Sequence, residues 1–90
     1  MNNSVSLSQA IEGYELYAAA RHLSLHTLQD YRNAFAKLQH FLSVDPPVSS
    51  ITHLDIEQFL AAQNGLSNKT LLNYHTALSA LWSWMTAENL

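Results

Sequence analysis

The sequence contains no cysteine, which excludes disulfide bonds, thiol nucleophiles and cysteine-based zinc sites together. Glycine and proline occur twice each, too few to build glycine-rich phosphate loops or a glycine-flanked nucleophile elbow. Runs of β-branched residues are missing while Ala and Leu abound, which is helical composition. No stretch approaches the ~20 apolar residues of a membrane span. The polar opening Met1-Asn2-Asn3-Ser4, followed by Glu12 and Glu15, is unlike a signal peptide. A cytoplasmic protein is expected. Positive charge is also scarce: four Lys or Arg against seven Asp or Glu leave −3 with histidine neutral. Taken whole, that balance argues against an autonomous, tight nucleic-acid binder.

What is present is core material. Ninety residues, 48% of them hydrophobic and two of them Trp, make one small domain spanning residues 1–90. Two stretches follow one pattern at an offset of 43 residues. Leu23-Ser24-x-x-Thr27-Leu28-x-x-Tyr31 is repeated as Leu66-Ser67-x-x-Thr70-Leu71-x-x-Tyr74. Ala34/Ala77 and Leu38/Leu81 continue the identity, and Phe35/Leu78, Phe41/Trp84 and Leu42/Met85 match in kind. The spacing predicts two amphipathic helices, each opened by a Ser cap, with stripes Leu28-Tyr31-Phe35-Leu38-Leu42 and Leu71-Tyr74-Leu78-Leu81-Met85.

A first helix is predicted from the capping-box pair Ser6 and Gln9 and the stripe Leu7, Ile11, Tyr14, Ala18, ending near Arg21-His22. Gly13 weakens it locally and would permit a close neighbour. Asp45-Pro46-Pro47 stops the second helix. Thr52 and Asp55 open a short third helix carrying Ile56, Phe59 and Leu60, expected to end at Asn64-Gly65. The repeat extends backwards at the same offset, pairing Leu16-Tyr17 with Phe59-Leu60 and Ile11 with Leu54. The expected fold is all-α, a four-helix bundle of two helical hairpins related by approximate internal two-fold symmetry.

No catalytic or metal centre is legible. Five histidines (22, 26, 40, 53, 75) invite a metal hypothesis. His22 and His26, however, are separated by a helix start, and no carboxylate completes a set. The serines stand at helix starts, where they serve as caps. No cofactor is expected, and the chain reads as non-catalytic.

Charge placement says more. The first and third helices carry Glu12, Glu15, Asp55 and Glu57 against Arg21 alone, whereas the second and fourth carry Arg32, Lys37 and Lys69 with His26, His40 and His75 against Asp30 and Glu88. The first turns of the repeated helices add Thr27, Asn33, Thr70 and Asn73. Helix N-termini favour anions through their free N–H groups and dipole, so these turns suit phosphates. Ordinary solvated helix faces with ordinary caps are the alternative.

Taken in order, Ser24-x-x-Thr27-x-x-x-Tyr31, Phe41, Ile51-Thr52-x-x-Asp55-Ile56-x-x-Phe59-Leu60 and Ser67-x-x-Thr70 resemble a tyrosine recombinase. More narrowly, they are similar to the N-terminal core-binding (SAM-like) domain of phage integrases and Xer-type recombinases. The resemblance implies a helical domain that clamps one face of a recombination site through its second and fourth helices. Its partners would be double-stranded DNA and further recombinase subunits, with no membrane and no small-molecule substrate. Carried over by position, DNA contacts fall on His26, Thr27, Asn33, Lys69, Thr70 and Asn73; Arg32 and Lys37 are added from charge alone. The family's catalytic Tyr, Arg, Lys and His belong to a C-terminal domain not present between residues 1 and 90. Tyr14, Tyr17, Tyr31 and Tyr74 lie on or beside core stripes and do not match that nucleophile. With a charge of −3, weaker binding than in a basic homologue is expected, strengthening at low pH because five protonated histidines would bring the chain to +2. The competing functional reading is a helical protein-interaction module, with Trp82 or Trp84 docking a partner.

Overall fold

A computed structural model describes residues 5–90. Its elements are α1 (Leu7–Ala20), α2 (Leu25–Leu42), a single 3-10 turn (Val48–Ser50), α3 (His53–Ala61) and α4 (Asn68–Ala87). Each helix begins where a short polar side chain satisfies free backbone N–H groups. Ser6 with Gln9 and Thr52 with Asp55 form complete capping boxes, and Ser24 and Ser67 cap α2 and α4. α1 ends in a Schellman motif: the N–H of Leu23 reaches Ala18 O at 3.1 Å and that of His22 reaches Ala19 O, with His22 at φ 59°. α3 is shorter than expected. It stops at Ala61, where Gln63 Nε2 donates to Phe59 O, and Gly65 takes its left-handed φ of 76° further along the connection to α4.

The buried residues are most of the predicted stripes plus Ala10, Ala34, Ala77 and Val48, while Tyr31, Leu42, Ile56, Leu60 and Leu71 of the stripes are half-buried. Leu7, Ala10, Ile11, Tyr14 and Ala18 come from α1, and Leu28, Ala34, Phe35 and Leu38 from α2. Phe59 comes from α3, Tyr74, Ala77, Leu78, Leu81 and Met85 from α4, and Val48 from the 3-10 turn. α2 and α4 form the central contact, and each hairpin partner packs alongside. Ala34 and Ala77, both 0% exposed, let the two long helices approach closely where they cross.

The sense of that crossing follows from the aromatic side chains. Tyr14 of α1 lies against Tyr31 and Phe35 in the first half of α2 and against Trp84 near the end of α4. Phe59 of α3 lies against Phe41 at the end of α2 and stacks on Tyr74 near the start of α4. α2 and α4 therefore cross in opposing directions. α1 fills the angle between the first half of α2 and the second half of α4, and α3 fills the angle opposite.

These two clusters are copies of each other. Tyr31 and Trp84 around Tyr14 correspond to Tyr74 and Phe41 around Phe59, which is the internal two-fold expected from the repeat. Its backward extension, however, is in a different register. Leu16 is 74% exposed and Leu54 63% exposed, whereas Phe59 is fully buried, so an offset of 43 pairs surface with core. The equivalent pairs are Tyr14/Phe59 and Ile11/Ile56, two residues further apart in sequence. The physical reason is length: α1 runs on to Ala20 past Tyr14, but α3 ends at Ala61, just past Phe59. Extended chain, which rises more per residue than helix, covers the remaining distance to Ser67.

The N-terminal segment is clipped to the α2–α3 connection. Val48 N–H bonds to Val5 O at 2.8 Å and Leu7 N–H to Pro46 O at 2.9 Å. Asp45 accepts from the Ser8 hydroxyl at 2.6 Å and the Ser8 N–H at 2.9 Å, placing a carboxylate at the positive end of α1. The Ser8 hydroxyl first, and its N–H second, hold the Asp45 carboxyl below its ordinary pKa.

Candidate nucleic-acid interface

α2 and α4 open in the same way. Ser24 Oγ accepts from the Thr27 N–H at 3.1 Å and donates to the Thr27 hydroxyl oxygen at 2.9 Å. Ser67 does the same with Thr70 at 3.1 and 3.0 Å. Helix periodicity alone gives no reason for a threonine at this place in both copies; the Ser–Thr hydroxyl bond supplies one. Each Thr oxygen is an acceptor here, so its own O–H remains available to an outside acceptor such as a phosphate oxygen.

With α1 and α3 in opposite angles of the cross, the angle between the two N-terminal halves carries neither. The helical stripe that ends at the buried crossing residues enters this open angle. On α2 it runs Thr27, Asp30, Ala34, and on α4 it runs Thr70, Asn73, Ala77. Thr27, Asp30, Thr70 and Asn73 are all half-buried in its walls. His26 and Lys69 stand on its outer rim and are exposed, and Lys37 is exposed on α2 one turn past the crossing. Each capped turn lies about 10–15 Å along its own helix from the crossing, so the two turns offer separate contacts on a long ligand rather than one pocket.

The eight candidate residues therefore divide. Thr27, Thr70 and Asn73 line the angle, His26 and Lys69 edge it, and Lys37 lies one turn past the crossing on α2. Asn33 is on the outward face of α2. Arg32 is turned to the other side, where its Nε meets Glu15 of α1 at 3.5 Å. Arg21 is likewise occupied, lying 3.9 Å over the Tyr17 ring. Among the described residues, Lys37 and Lys69 are the Lys and Arg side chains without an ion pair or a stacking partner. Sequence reading counts one further member of the surface only as a charge and does not place it in the site. Asp30, one turn beyond His26, approaches His26 Nε2 at 3.6 Å. The i, i+4 spacing was the signal that pointed to it.

The remaining chemistry-bearing side chains are structural. Tyr14 and Tyr74 are buried and Tyr31 is half-buried. Burial first, then the neighbouring Tyr31 and Tyr17 phenols, push the Tyr14 phenol above its ordinary pKa. A nucleophilic tyrosine needs the opposite shift. Trp84 closes over Gly13, where a Cβ would come within 2.7 Å of its ring. Trp82 instead lines a groove of about 310 Å³ between α3 and α4, with Ile56, Leu60 and Leu78 as its apolar floor and His53 and His75 at its edges. Among the described residues no three His, Asp or Glu side chains gather as a metal site, and no helix is long and apolar enough to cross a membrane.

Residues 11–89 match the family described as phage integrase, N-terminal SAM-like domain. The chain belongs to this family. The match takes in all of α2, α3 and α4 and most of α1. It accords with the resemblance carried by the Ser-x-x-Thr and Thr-x-x-Asp motifs. No curated protein and no solved structure matches the chain significantly. The N-terminal domain of integrases is not itself catalytic.

Proposed function

We propose that this integrase-family domain binds duplex DNA as the non-catalytic N-terminal part of a tyrosine-type recombinase. In this reading it clamps the recombination site while a separate C-terminal domain performs strand exchange. The open angle between the first halves of α2 and α4 carries the reading. It gathers hydroxyl donors, an amide and the unpaired Lys69 on a surface that α1 and α3 leave free. Lys69, Lys37, Thr27 and Thr70 suit phosphate oxygens. Asn73 and Asn33 present the amide geometry that reads a base edge, and His26 adds a switchable donor. Arg32 takes part only by leaving Glu15. The partners are a recombination site and neighbouring recombinase subunits, and the setting is the cytoplasm.

Titration of the 90-residue chain with a 20–30-bp duplex at ~20 mM salt tests this. Binding should weaken steeply with salt, and Lys69→Ala should reduce affinity roughly tenfold and flatten the log–log salt slope by about one. Absence of binding at low salt contradicts the proposal. The α3–α4 groove, with its half-buried Trp82, supports a second reading as a protein-docking module. In that case Trp82→Ala would abolish self-association or partner capture while DNA has no effect.

A further inference from the structure

We infer that the His26–Asp30 pair makes duplex binding by this domain sensitive to pH in the mildly acidic range. The inference rests on the DNA-binding reading of the open angle and adds its regulation. Asp30 puts a carboxylate into the wall of that angle, where a phosphate backbone would repel it. His26 Nε2 stands 3.6 Å from the Asp30 carboxylate and is itself almost fully exposed at the rim. A neutral imidazole leaves the Asp30 charge uncompensated. A protonated one pairs with Asp30 and turns the first two turns of α2 from net negative to neutral.

The surroundings offer Asp30 no other cation. On α1 the charged groups are Glu12, Glu15 and Arg21, the last two engaged with Arg32 and Tyr17, and His22 stands in the turn that follows. On α3 they are His53, Asp55 and Glu57, with His53 facing Glu57 at 3.6 Å. On α4 they are Lys69, His75 and Glu88, none within ion-pair distance of His26 or Asp30. Because the chain holds only four Lys or Arg, one compensated charge is a large fraction of its electrostatic pull on DNA. Histidine is the side chain that changes charge near neutral pH.

The test is the affinity of the chain for one duplex across pH 8 to 6 and at several salt concentrations. Wild type should tighten by roughly tenfold at low salt, with the log–log salt slope steeper by about one at pH 6. His26→Gln should lose most of that gain. Asp30→Asn should bind more tightly at pH 8 and respond less to pH. His53→Gln, which breaks the same kind of pair on α3, should behave as wild type. Binding that is independent of pH, or a gain that survives in His26→Gln or is lost equally in His53→Gln, overturns the inference and leaves the DNA reading standing. No binding at any pH overturns both.

Discussion

At the scale of single residues, the chain uses its few polar side chains as helix terminators and anchors. Ser24 and Ser67 each bridge a backbone N–H and a Thr hydroxyl. Ser67→Ala should cost about 1 kcal/mol of stability in chemical denaturation, as loss of an N-cap does. Thr70→Val removes only the acceptor and the outward O–H, so its effect should be small on stability and larger on DNA affinity. Asp45 is a remote cap for α1 through Ser8. Its folded-state pKa is lowered, so its stabilising effect is present at neutral pH and is lost as pH falls through that depressed value. Thermal melts of Asp45→Asn should therefore fall below wild type at pH 7 and converge with it in strong acid. A constant gap down to pH 2 would contradict this. The local caps were legible because their partners stand three residues apart in sequence. Asp45 was not, because Ser8 lies 37 residues away and the chain must fold before they meet.

At the scale of elements, stripes and stops were legible for the same reason: periodicity and proline act within one segment. What periodicity does not contain is how two helices cross. Ala34 and Ala77 stood out only as an identical pair of the repeat, yet both are fully buried between α2 and α4. The two aromatic clusters around Tyr14 and Phe59 became visible only once that crossing was known. The same cause explains the misregistered α1–α3 relation, since unequal helix lengths hide equivalence from a fixed offset. Gly13 is the reverse case, in which a suspected close approach is present as the Trp84 ring. Gly13→Ala should gain up to about 1 kcal/mol of helix propensity but lose more by overpacking, because Tyr14 and Tyr17 box in the Trp84 ring. A net loss on the order of 1 kcal/mol is expected in denaturation. It should shrink in a Trp84→Ala background, where there is nothing to overlap.

At the scale of the whole molecule, two crossed helices and two fillers leave two angles open, and the one between the N-terminal halves has the unpaired Lys69 at its edge. The candidate site was half legible. Residue types and first-turn positions could be read from the repeat, but which side of α2 each occupies could not. Arg32 therefore looked equivalent to Lys37 until Glu15 was found against it. The domain's low positive charge is partly offset by placement, with Glu12, Glu15, Asp55 and Glu57 on α1 and α3, leaving Asp30 as the carboxylate in the open angle between α2 and α4. The central claim is that duplex DNA occupies this angle. It is tested most directly by adding a short duplex at low salt to the isotopically labelled chain and following its backbone amide resonances. The account predicts shifts concentrated at residues 24–37 and 67–73, with the Ile56–Leu60 and Trp82 groove unmoved. Shifts confined to that groove, or none at all, would contradict it.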